Sequence, residues 1–251
     1  MTDRRHFLRN SLLALGGAAL AGCDRISESE TGTRVLESAE AVTRRVQRFL
    51  SPSRALAKEY AESDISPVFK PNGTTMPDTP LYQALLRGGF ADYRLEVAGL
   101  VARPARLSLD ELKALGTRTQ ITRHDCVEGW SAIGKWTGTP LAAVLDRVGP
   151  TAGARYVVFH CFDNYDADTP YYESIDLDEA RHPQTLLAHA LNGAPLPVAN
   201  GAPLRLRVER QLGYKHAKYL RRIELVASFA DIGEGNGGYW EDNGYEWYAG
   251  I

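Results

Sequence analysis

The residues most able to do chemistry lie in Ile121–Gly138, ITRHDCVEGWSAIGKWTG. The stretch holds Cys126, one of three cysteines, with Arg123 and His124 before it and Glu128, Trp130 and Trp136 after it. A lone cysteine in a polar, aromatic-rich run suits a thiolate that ligates a soft or high-valent metal. Arg123 and His124 would favour that thiolate by placing positive charge beside it. No second cysteine lies within a few residues, and no His-x-x-His or paired-carboxylate pattern accompanies it. An ordinary zinc site, which draws its ligands mainly from the protein, is therefore disfavoured. A cofactor must bring the remaining ligands.

Two later segments suit such a cofactor. Asn200-Gly201-Ala202-Pro203-Leu204-Arg205 and Gly213-Tyr214-Lys215-His216-Ala217-Lys218 alternate small residues with bases. Small residues let backbone N–H groups approach an anion, arginine offers a two-pronged phosphate clamp, and lysine adds a point charge. Basic loop residues are more often simply solvated, and neither GxGxxG nor a P-loop signature is present.

With these motifs in hand, Tyr93–Phe229 resembles the molybdopterin-binding domain of the sulfite oxidase family. It is most similar to the branch of periplasmic protein-methionine-sulfoxide reductase catalytic subunits. The resemblance is carried by Cys126-Val127-Glu128-Gly129-Trp130-Ser131, by Trp136-Thr137-Gly138 and by the two segments above, in order and spacing. It implies Cys126 as the molybdenum ligand and catalytic centre. It implies contacts from Asn200 and Arg205 to the molybdopterin, with His216, Ala217 and Lys218 wrapping its phosphate. Asn72 and Gly73 resemble the family's upstream cofactor loop. Asp163 falls where sulfite oxidases carry a cofactor-contacting acid, and Cys161 falls at the neighbouring position that the reductase branch uses.

The departures bear on substrate. Sulfite oxidases place arginine soon after the metal cysteine and in the upstream loop, where this chain has Val127–Trp130 and Lys70-Pro71. The implied activity is two-electron oxygen-atom transfer on a small substrate, S-oxide reduction first and sulfite oxidation as the alternative. Arg123, His124 and Lys135 remain sources of positive charge. Tyr165, Tyr171 and Tyr172 are candidates to donate a hydrogen bond to the substrate oxygen; lining an aromatic wall is their plainer role. The family's haem and dimerisation domains have no counterpart here, so a separate redox partner, such as a membrane or periplasmic cytochrome, is expected. Two other readings stand beside this one. One is a non-catalytic lipoprotein that binds a partner. The other is an exported binding domain with a Cys126–Cys161 disulfide.

The remaining chain must position these groups. Its composition, 44% hydrophobic and 24% charged, suits a globular domain, and a net charge of −2 without a basic block excludes a nucleic-acid partner. Asp3–Arg9 resembles a twin-arginine export motif, and the apolar run Ser11–Ala21 is short of the about 20 residues that span a bilayer. Leu20-Ala21-Gly22-Cys23 resembles a lipobox, and Asp24 an inner-membrane retention signal. The expectation is a periplasmic protein anchored to the inner membrane through lipidated Cys23.

Residues 1–22 thus read as signal, 23–65 as tether and amphipathic helices, 66–229 as the cofactor domain and 230–251 as a Gly/aromatic extended strap. Helices are predicted at Thr33–Leu50, Ala55–Glu62, Leu81–Arg87, Leu109–Leu115 behind a Ser108 capping box, Leu141–Val148, Leu177–Arg181 and Pro183–Leu191. Strands are predicted at Tyr93–Val101, Thr117–Val127, Ala154–Phe162, Tyr171–Asp176, Leu204–Val208 and Tyr219–Ala227. His124 and Cys126 would share one face of the second of these strands. Many short strands with few helices make the fold class α+β, a β-rich mixed single domain.

Overall fold

A computed structural model describes residues 55–165 and 169–251. The signal, Cys23, the tether and the Thr33–Leu50 helix lie outside the described residues. In chain order the elements are α1 (Pro80–Arg87), β1 (Leu95–Gly99), β2 (Ala105–Leu107), α2 (Leu109–Ala114), β3 (Arg118–Asp125), β4 (Ser131–Pro140) and α3 (Leu141–Val148). There follow β5 (Tyr156–Asn164), β6 (Pro170–Asp176), α4 (Leu177–Ala180), β7 (Leu186–Leu191), β8 (Ala194–Pro195), β9 (Arg205–Arg207), β10 (Leu220–Val226) and α5 (Tyr239–Asp242).

The strands make two sheets, one ordered β2-β1-β10-β5-β6 and the other β3-β4-β7-β8 with β9 on β7. All pairings are antiparallel except β1 with β10. The first sheet carries the main core. Val97, Val157, Phe159, Ile223 and Leu225 pack there with Leu141, Val144, Leu145 and Val148, the i, i+3, i+4, i+7 face of α3. A smaller cluster around Phe69, Trp136 and Leu191 belongs to the second sheet. The capping box holds α2 as expected: Ser108 Oγ accepts from the Glu111 N–H at 3.2 Å, and the Ser108 N–H donates to Glu111 Oε2 at 2.8 Å.

Three expectations need correction. Ala55–Glu62 is not a helix; the Tyr60 N–H donates to the Ile121 carbonyl at 2.9 Å and Glu59 bridges Thr122, so the segment covers the open edge of β3. A single 3-10 turn follows at Glu62–Asp64. Pro183–Leu191 is not a helix either. Its LLAHAL run is β7, paired with β4, β8 and β9, because a short apolar run fits either period and the sheet supplies partners. The strand β4 went unpredicted. Its inward positions include Ala132 and Gly134 as well as Trp136, so period-two alternation exists with little apolar contrast. The tail is a strap in part. It pairs back along the body, with the Leu212 N–H on the Ala249 carbonyl at 2.9 Å, but α5 and several glycine turns interrupt any extended run.

Candidate cofactor and active site

Cys126 stands on the turn joining β3 to β4. The ladder runs from Arg118 opposite Gly138 to Asp125 opposite Ser131. The turn closes with the Cys126 N–H on the Trp130 carbonyl at 2.9 Å and the Gly129 N–H on the Cys126 carbonyl at 3.0 Å. The thiol thereby reaches an open cleft with about 540 Å³ of empty space, solvent at its mouth included. Asn72, Gly73, Asp163, His216 and Lys218 line the same cleft. Asn200, Arg205 and Ala217 lie buried in the segments behind it; the Ala217 carbonyl accepts from the Leu206 N–H at 2.8 Å, which ties that segment to β9.

Electrostatics distinguish this cleft. Lys218 Nζ donates to the carbonyls of Asn72 (2.6 Å), Thr74 and Ala199 (3.0 Å). Arg205 is fully buried, with Nη1 on the Asn200 carbonyl at 2.9 Å and Nη2 on the His216 carbonyl at 3.3 Å. Every one of these acceptors is neutral. Burial, with the charge of Arg205, lowers Lys218 to about 7, and burial, with the charge of Arg207, lowers Arg205 to about 9. Two buried cations hydrogen-bonded to neutral carbonyls, with Asp163 and Glu209 contributing charge only from farther away, suit an anion. Asn72 Oδ1, Asp163 Oδ1, Asn200 Nδ2, Arg205 Nε and His216 Nδ1 are all buried without a hydrogen-bond partner. Buried polar atoms left over in this number need a ligand rich in donors and acceptors. A pterin with a phosphate has both properties, so the residues fit the group.

Two glycines make the close approaches possible. Gly201 has φ of 112°, and a Cβ there would stand 3.1 Å from the Cβ atoms of Arg205 and Lys218. A Cβ on Gly213 would stand 2.6 Å from His124 Nε2. His124 in turn receives Arg207 Nη1 at Nδ1, 3.0 Å away. Because arginine only donates, the His124 proton sits on Nε2, and burial and Arg207 hold the ring neutral, well below its usual range. His216 is held neutral by burial in the same way. Asp163, at the end of β5, is pushed up to about 6, mostly by burial, while Lys218 pulls the other way.

The expected cationic flank of Cys126 is not there. Arg123 faces outward and pairs with Asp125 at 2.9 Å, Lys135 pairs with Glu62, and His124 is neutral. Burial instead pushes the Cys126 thiol up, with the charge of Glu128 adding to it and Lys70 opposing. A coordinated metal would remove that proton outright, so a thiolate here would depend on the metal and not on basic neighbours. Cys126 and Cys161 are both free thiols, so the disulfide reading falls. Among the described residues no three His, Cys, Asp or Glu side chains converge to hold a metal.

Two of the candidate tyrosine hydroxyls are committed to other acceptors, although Tyr171 also lines the cleft. Tyr171 donates to the Tyr214 carbonyl at 2.7 Å, and Tyr172 to Asp242 at 2.5 Å. Tyr165 does line the cleft, 40% exposed. The sequence reading missed Glu128 and Trp240, which also line it. Glu128 accepts from Trp130 Nε1 at 2.9 Å, and the only signal for it was its place two residues after the cysteine. Trp240 belongs to the aromatic tail, whose density of rings was visible without its destination.

The family described as oxidoreductase molybdopterin binding domain matches residues 84–231. A putative protein-methionine-sulfoxide reductase subunit YedZ1 of Azospira oryzae is 40% identical over 247 residues, 98% of this chain and 87% of that one. The protein-methionine-sulfoxide reductase catalytic subunit MsrP of Xanthomonas campestris pv. campestris is 43% identical over 144 residues. That alignment covers 53% of this chain, which spans about half of the relative (45%). The crystal structure of the sulfane dehydrogenase SoxCD from Paracoccus pantotrophus overlaps 55% of this chain and 39% of its own, at 22% identity and a TM-score of 0.49. The chain belongs to the oxidoreductase molybdopterin binding domain family.

Proposed function

We propose that this chain reduces an S-oxide by two electrons: the sulfoxide takes up two electrons and two protons, its S–O bond breaks, and a sulfide and water leave. The observation that carries the cofactor assignment is the pair of buried cations, Arg205 and Lys218, ringed by unpartnered polar atoms behind Cys126. The relatives named for methionine-sulfoxide reduction support the choice of substrate class. Cys126 would ligate the molybdenum. Asn72, Gly73, Asp163, Asn200, Arg205, His216, Ala217 and Lys218 would hold the organic part, with Arg205 and Lys218 taking its phosphate. When bound, the group supplies the two-electron couple that exchanges oxygen with the substrate.

The chain's own residues do the rest. Glu128 keeps negative charge at the mouth, its pKa lowered chiefly by the Trp130 hydrogen bond. That charge opposes oxyanions such as sulfite. Lys70, the one base of the upstream loop, is drawn to Glu128 at 3.6 Å and is not presented to the cleft as an oxyanion clamp. These two points favour an uncharged S-oxide over sulfite. Tyr165 holds a phenolic proton at the cleft, kept on by burial and by the charge of Glu128.

We place the enzyme in the periplasm, supported by the twin-arginine motif, with Cys23 as its lipid anchor. Electrons would come from a separate membrane or periplasmic partner, in keeping with relatives named as subunits. The test is elemental analysis of wild type and Cys126→Ser folded in a molybdenum-replete cytoplasm. About one molybdenum per chain is expected, and its loss in the variant. Equal metal in both would sink the site. A panel of S- and N-oxides with reduced dye, set against sulfite with an oxidised acceptor, tests direction; turnover of sulfite alone would refute it.

A further inference from the structure

The family match ends at residue 231, yet the cleft is completed by a residue beyond it. Trp240, on the one-turn helix α5, lines the cleft together with Tyr165. Their ring centroids are 4.9 Å apart at 75°, an edge-to-face contact, and Tyr245 backs Trp240 at 5.0 Å and 31°. To the same cleft the Cys126 turn contributes exposed Val127 and anionic Glu128.

The tail is fastened firmly enough to act as a wall. Glu241, next to Trp240, reaches the buried ammonium of Lys215, which also holds Glu173 of β6 at 2.5 Å. Trp247 Nε1 donates to Ser174 Oγ at 2.8 Å. Lys215 lies within the Gly213–Lys218 segment, so the same anchor that seats the tail seats the cofactor-facing turn.

We propose that Trp240 is a specificity-determining residue: it offers an aromatic face to the carbon substituent of an uncharged S-oxide and makes the cleft prefer aryl or bulky apolar substituents over small ones. This rests on the S-oxide reading above. Aromatic rings stack on aryl groups and pack against bulky apolar ones.

The test uses molybdenum-loaded wild type, Trp240→Ala, Trp240→Leu and Trp240→Phe. Methyl p-tolyl sulfoxide and dimethyl sulfoxide are compared as substrates, and calorimetry measures binding of methyl p-tolyl sulfone, which needs no turnover. In Trp240→Ala the KM for the tolyl sulfoxide rises roughly tenfold, and that for dimethyl sulfoxide by less than about twofold. Sulfone binding weakens by the same factor, molybdenum content is unchanged, and Phe restores most of the preference. Equal loss for both sulfoxides, or an unchanged sulfone affinity, overturns the proposal. If Trp240→Ala fails to load cofactor, Phe against Leu decides: a preference kept by both overturns it, and one kept by Phe alone supports it. Wild type that reduces neither sulfoxide but binds the sulfone through Trp240 would refute the S-oxide reaction while supporting the wall. Wild type that reduces both, with an unchanged ratio in Trp240→Ala, would refute the wall alone.

Discussion

Lys215→Met offers the sharpest test of how the tail is held. The ammonium is fully buried between Glu173 Oε1 at 2.5 Å and Glu241 Oε1, and the second oxygen of each carboxylate has no partner. Burial and the charge of Glu241 already push Glu173 well above the usual carboxylate range, while Lys215 pulls it back. Removing the cation leaves two buried carboxyl groups facing each other. Breaking a buried pair by deleting one partner costs about 3–5 kcal/mol. At about 2–4 °C per kcal/mol for a domain of this size, the melting temperature should fall by roughly 6–20 °C at pH 7. The sign with pH follows from linkage. A carboxyl whose folded pKa is raised binds more protons folded than unfolded, so its stability contribution is full below the unfolded pKa and is lost as pH rises. Without Lys215 the folded pKa climbs further, so the gap between variant and wild type should be smallest near pH 5 and widen toward pH 8. Differential scanning of loaded protein across that range measures it. Combining Lys215→Met with Glu173→Gln and Glu241→Gln should recover most of the loss. A shift under about 2 °C, or a gap that narrows with rising pH, would refute the reasoning.

Gly213→Ala should lower cofactor content and destabilise the protein by about 1–3 kcal/mol, since the new methyl must displace His124 Nε2 from 2.6 Å; molybdenum analysis and a denaturant melt read both. Lys218→Met should weaken cofactor retention about 10–100-fold in dialysis, the loss expected for a hydrogen bond to a charged group. Asp163→Asn should make cofactor-free protein more stable than wild type above pH about 6, by up to roughly 3 kcal/mol, with the difference gone below pH about 4. A denaturant series at pH 4 and pH 8 checks it, and a variant less stable than wild type at pH 8 contradicts it.

Residues were easiest to place from sequence where local signals agree. The Ser108 capping box, the i, i+3, i+4, i+7 face of α3 and the apolar β5 run each dictate their own structure. The site motifs were legible for a related reason: Gly201 and Gly213 mark close approaches, and Arg205 and Lys218 mark charge. What could not be read was pairing at a distance. LLAHAL becomes β7 only because β4 and β9 flank it, and Ala55–Glu62 is pulled straight by the edge of β3. Charge placement failed likewise. Arg123 is two residues from Asp125 on one strand face, and that spacing hands the guanidinium to a surface carboxylate instead of to the thiol.

The ammonium of Lys218 grips the carbonyls of Asn72 and Thr74, which precede it by 146 and 144 positions. A growing polypeptide therefore has no receptacle for its prosthetic group until almost all of these residues have left the ribosome. The long-range closure of that grip makes assembly slow compared with the helices around it.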